Sequence, residues 1–127
     1  PYSISFQGVF SNDYYNFDIA FKSLVKTAEN SDIRLFVATT LKTVAYPRAY
    51  NGLKEHNNVM IEQLLGDEGK PIKFLFNVDY NESFSWKFSD DWLKNTELRW
   101  NEDKLRIVAW IQDYKTKEIL QVEEFSF

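Results

Sequence analysis

His56 is the one histidine of the chain, and so the one side chain whose ordinary pKa suits proton transfer near neutral pH. It sits among amides in His56-Asn57-Asn58, and no serine lies in a glycine-flanked elbow that would supply a nucleophile. A lone imidazole also makes a poor transition-metal site, because zinc and its neighbours need several converging ligands. Cysteine is absent, which removes thiolate catalysis, zinc fingers, iron–sulfur clusters and disulfides. Paired carboxylates occur at Asp67-Glu68, Asp90-Asp91, Glu102-Asp103 and Glu123-Glu124. Glycoside hydrolysis needs two such groups about 5–10 Å apart across a cleft, and adjacency in sequence does not provide that. Acidic pairs in turns read as solvated surface, and none belongs to a calcium loop with its glycine and terminal glutamate. Phosphate-cradling glycine motifs are absent as well. The expectation is a chain without catalysis, cofactor or metal, in which His56 ties its own loop to the body by hydrogen bonds.

The aromatic content is the unusual quantity. Eleven Phe, seven Tyr and four Trp make up 17% of 127 residues, against four Gly and three Pro. Large aromatics favour strands and bury about 150–250 Å² each, so they read first as the core of a sandwich or barrel. Left exposed, they could instead stack on sugar rings. The length suits one domain with its own core, spanning 1–127. A net charge of −4 argues against nucleic acid, whose phosphates require a basic surface. No apolar run approaches the roughly 20 residues of a membrane-spanning helix. The chain opens at Pro1 without an initiator methionine, which fits a mature product or a domain of a longer exported protein.

Period-two alternation, the mark of strands with one buried face, recurs from end to end. Tyr2, Ile4, Phe6 and Phe10 share a face. Tyr15, Phe17, Ile19 and Phe21 share the next, and the turn cluster Ser11-Asn12-Asp13 joins the two stretches as a hairpin. Ile33, Leu35, Val37 and Thr39 point one way and Phe36 and Ala38 the other, which suits a central strand. Alternation returns over Lys73–Phe88, over Leu105–Gln112 and over Lys117–Phe127. About seven strands, with turns at sandwich-like intervals and no strand–helix alternation, predict an all-β, immunoglobulin-like antiparallel sandwich.

Residues 42–71 break the pattern. Pro47, Gly52, Gly66, Gly69 and Pro71 punctuate them, and they are expected to form a long excursion between strands, the first place to look for function. Within it, Val59–Leu65 fits a short helix or a strand. Trp110 is out of phase with Leu105, Ile107, Ala109 and Ile111, so it belongs on the outer face. There it either serves as a binding platform or is covered by Val59, Met60, Leu64 and Leu65 of the excursion. The cover is favoured because those side chains need a surface to bury against. His56, Asn57, Asn58 and Trp110 are the candidate binding residues.

Three stretches carry a family resemblance: Arg34-Leu35-Phe36-Val37-Ala38-Thr39-Thr40, His56-Asn57-Asn58-Val59-Met60, and Ile107 through Val122 with its Gln112-Asp113 and Lys117-Glu118-Ile119-Leu120-Gln121. Together they resemble the C-terminal domain of the bacterial family related to the twenty-eight-kilodalton outer membrane protein. The resemblance implies an immunoglobulin-like module of exported or outer-membrane-associated proteins, often following a thioredoxin-like domain. It implies an extracytoplasmic location and a non-catalytic accessory role toward a protein or glycan partner. A carbohydrate-binding module using exposed aromatics is the alternative.

Overall fold

The computed structural model describes residues 2–12, 14–25, 31–45, 55–88 and 105–126, with the side chains of 42–45 and 55–60 outside that description. The hairpin of β1 (Tyr2–Ser11) and β2 (Tyr14–Ser23) is in register from Tyr2 opposite Ser23 to Ser11 opposite Tyr14. Asn12 closes it at φ 54°, a left-handed conformation that asparagine tolerates better than most residues. Tyr15, Phe17, Ile19 and Phe21 of β2 are all buried. β6 (Asp79–Trp86) pairs with the other side of β2, giving a three-stranded sheet in the order β1-β2-β6.

The second sheet is centred on β3 (Ile33–Ala45). It runs β4-β3-β7-β8, with β4 Glu55–Gln63, β7 Leu105–Asp113 and β8 Glu118–Ser126. The two-residue β5 (Lys70–Pro71) also pairs with β3, at Leu35 and Arg34. Every pairing between these strands is antiparallel. A three-stranded sheet facing a five-stranded one, with β4-β3-β7-β8 as the main path of the larger, is an immunoglobulin-like sandwich arrangement. β3 is buried on both faces, Leu35 and Val37 on one and Phe36 and Ala38 on the other. That is why its sequence is apolar at consecutive positions.

The core lies between the sheets. Ile4, Phe17, Ile19 and Phe21 from the first sheet meet Leu35, Val37, Leu41, Leu105, Ile107 and Ile111 from the second. Thr39 is buried among them, its hydroxyl 3.5 Å from the Glu62 carbonyl. Phe6 of β1 stacks on Phe125 of β8, centroids 5.4 Å apart, where the sheets' edges meet. On another side, Lys70 of β5 pairs with Glu82 of β6 and links the two sheets.

Two expectations are corrected. The stretch 42–71 is not an excursion throughout: β3 runs on to Ala45, and Glu55–Gln63 returns beside it as β4, with a register shift at Thr39/Thr40. Glycine and proline mark only the ends of that hairpin, and the polar Glu55-His56-Asn57-Asn58 run masks its strand character. Val59–Leu65 is therefore strand up to Gln63. Lys73–Phe88, by contrast, holds one strand and a loop. In the loop Phe74 turns into the core, while Leu75, Phe76 and Val78 are exposed. Asn77 at φ 60° breaks the extended run, and its amide donates to the Ser23 carbonyl at 2.8 Å. The Tyr80 hydroxyl holds this loop by donating to the Lys73 carbonyl and accepting from the Leu75 amide. Among the described residues the strands number eight, in keeping with the about seven expected. The expected turns at 89–92 and 101–103 lie outside the described residues.

Candidate functional site

Trp110 stands on the outer face of the larger sheet, as its phase on β7 requires. Leu105, Ile107, Ala109 and Ile111 are buried toward the core, and Trp110 between them is half-buried on the other side. Its partner on β3 is Phe36. The two rings lie with centroids 5.0 Å apart and planes 1° from parallel. Neighbouring strands are about 4.8 Å apart, so rings face to face at this spacing stand upright on the sheet. They do not lie across it as a flat platform. The indole Nε1 points to the Gln112 side-chain oxygen at 3.4 Å, and the Gln112 amide donates to the Lys117 carbonyl at 3.1 Å.

The same face carries Arg34, Tyr114 and Lys117. The Arg34 guanidinium carbon is 3.9 Å from the Tyr114 ring centroid, and the Lys117 ammonium is 3.1 Å from it. Two cations that close to one ring must occupy opposite sides of it, since on one side they would collide. Both π-faces of Tyr114 are thus taken by cations. Arg34 also donates from Nε and Nη2 to the two Asp32 carboxylate oxygens, and from Nη1 to the Glu68 carbonyl at 2.9 Å. The hydrogen bond to Asp32 raises the Arg34 pKa above its ordinary value, outweighing the opposing desolvation. Lys117 has φ 67°, the conformation that lets the β7–β8 turn bring its side chain back over Tyr114.

The expected cover of this face is realised in part. The turn after β4 brings Gly69 against Phe36, so close that a Cβ there would lie 2.7 Å from the Phe36 ring. Phe36 is thereby buried, at 4% exposure. Leu64 and Leu65, however, pack against the core between the sheets. They were expected over Trp110. The difference follows from β4 being a strand: its end carries Leu64 to a hydrogen bond with the Val37 carbonyl, at the sheet's own edge. The side chains of Val59 and Met60 lie outside the described residues.

His56 and Asn57 are placed on β4 opposite Val44 and Thr43, with Asn58 following them. Their side chains lie outside the described residues. Phe36 and Val44 are eight residues apart on β3, about 26 Å of extended strand. Since Trp110 pairs with the first and His56 with the second, the structure does not bring the sequence-derived candidates together. Sequence reasoning missed the Arg34–Tyr114–Lys117 group. Its signal was the register: Arg34 falls opposite Gln112, which sets it beside the turn that carries the other two.

Of the acidic pairs, Asp67-Glu68 and Glu123-Glu124 are exposed, and the other two lie outside the described residues. Among the described residues no three His, Asp or Glu side chains are grouped to hold a metal ion, and no helix is long and apolar enough to cross a membrane.

No protein-family profile and no curated protein matches the chain. A solved structure does: a domain of the outer membrane lipoprotein Omp28 from Porphyromonas gingivalis, at 12% identity and a TM-score of 0.63. The match covers 99% of this chain and 94% of that one. The likeness in space is to a protein of the same kind as the family resembled in sequence. The chain has, over nearly its whole length, the β-sandwich fold of that lipoprotein domain.

Proposed function

We propose that this chain is an extracytoplasmic accessory domain of a bacterial cell-envelope or secreted protein, acting by binding and not by catalysis. The observation that carries the reading is the fold match to a domain of an outer membrane lipoprotein across almost the full length of both chains. Three sequence stretches resembling that family support it independently. In this reading the domain is one part of a longer exported polypeptide and meets a protein or glycan partner. An aromatic sugar platform at Trp110 fits the geometry less well, because Phe36 and Tyr114 offer no free ring face beside it.

Fractionation of cells that make the full-length protein tests the proposal. The protein is expected in the envelope or the medium. Recovery in the cytosol alone would overturn it.

A further inference from the structure

The outer face of the three-stranded sheet has an unusual composition. Reading across the register, Gln7 lies beside Asp18 and Ser83, and Val9 beside Asn16 and Ser85. These six side chains rim an open hollow of about 660 Å³. A second hollow of about 260 Å³ adjoins it toward Ser5, Ala20 and Asn81, with Gln7 and Asp18 lining both. The result is one trough, which from Val9 to Ser5 spans about 13 Å of strand.

Strands favour β-branched and aromatic residues, threonine among them. Asn and Asp are disfavoured in strands, yet Asn16, Asp18 and Asn81 occupy outward positions of β2 and β6, with Ser83 and Ser85 following on β6. Local preference broken repeatedly on one face, while the opposite face keeps a regular aromatic core, is the pattern of a site under functional demand. The chemistry of the lining narrows the ligand. Carboxamides present paired donors and acceptors, hydroxyls present both, and Asp18 accepts. No lysine or arginine lines either hollow, so the one carboxylate repels phosphate, sulfate and acidic sugars. Val9, 62% exposed, adds an apolar patch beside these polar groups, of the kind the C–H face of a sugar can cover.

We propose that this trough binds a neutral oligosaccharide, with Asp18 and Asn16 as its principal hydrogen-bonding residues. Vicinal hydroxyls of a sugar match the carboxamide and carboxylate geometry, and the open trough admits a chain along the strands. Asn16 is held for this: its amide reaches back to the Tyr14 carbonyl, and its side-chain oxygen accepts from the Ser85 hydroxyl. The proposal rests on the reading of the chain as a binding domain and names the ligand class. It moves the sugar contact from the Trp110 face to the opposite sheet.

The test is a titration of the isotope-labelled 127-residue chain with neutral gluco-, manno- and N-acetylglucosamine oligomers, followed by NMR. The expected shifts map to β1, β2 and β6 around Asp18. Asp18→Ala and Asn16→Ala should each weaken binding about tenfold while keeping a native spectrum, and Lys115→Ala on the other sheet should leave affinity unchanged. Binding by none of the oligomers overturns the proposal, and leaves the envelope location to be judged by fractionation. Shifts centred on Trp110 and Val122, or binding unaffected by both trough variants, also overturn it. So does saturable binding at the trough by an unglycosylated peptide but by none of the sugars.

Discussion

Phe36 and Trp110, directly opposite each other on β3 and β7, stack with their planes 1° from parallel. This contact lies outside the main core, on the face where Gly69 closes over Phe36. It is a cross-strand pair of the kind that stabilises sheets beyond the area it buries.

Trp110→Ala should destabilise the chain by about 1–3 kcal/mol, less than a fully buried Trp would, since the indole is half exposed. In a double-mutant cycle with Phe36→Leu, a coupling of about 0.5–1.5 kcal/mol is expected. Urea denaturation of the four proteins measures both. Coupling near zero would mean that the rings merely adjoin.

Gly69 and Gly66 have similar left-handed φ angles, 75° and 87°, and different surroundings. A Cβ at Gly66 meets nothing within 4 Å, whereas at Gly69 it would meet the Phe36 ring at 2.7 Å and the Leu35 carbonyl at 2.9 Å. Gly66→Ala should cost about 1 kcal/mol from backbone strain alone. Gly69→Ala should cost clearly more, because backbone and a buried ring must both give way. Thermal unfolding of the pair decides the order, and equal losses would contradict the close approach.

Arg34→Lys keeps a charge and loses the planar fork that grips Asp32 and reaches the Glu68 carbonyl. Exchange of the Gly69 amide, which donates to the Gly66 carbonyl at 3.2 Å, should become faster in this variant. An unchanged rate would show that the turn holds without the arginine.

Much of the fold was legible because its strands obey a period of two. The aromatic alternation of β2 and the doubly apolar β3 announced an inner and a central strand, and the phase of Trp110 assigned it to the outer face. β4 was not legible. A strand at a sheet edge needs little burial, and Glu55-His56-Asn57-Asn58 carries no apolar alternation. The error in Lys73–Phe88 has the opposite cause: Phe76 and Val78 continue the alternation in sequence, while Asn77 takes a left-handed turn and leaves both exposed. The candidate site suffered from the same limit. His56 and Trp110 are each placed by pairing with β3, and only that register reveals how far apart they lie. The trough around Asp18 was hidden because polar outward positions look alike in sequence until three strands are set side by side.

A domain that works outside the cytoplasm is reachable without breaching the cytoplasmic membrane. The chain contains no cysteine, and Ser83 is exposed on β6, so Ser83→Cys in the full-length protein introduces a single accessible thiol if the remaining chain has none. Intact cells are treated with a small maleimide that cannot cross the cytoplasmic membrane. For an envelope domain the variant is expected to be labelled in intact cells, to the extent reached after lysis. Labelling that appears only once the cytoplasmic membrane is broken would contradict that location.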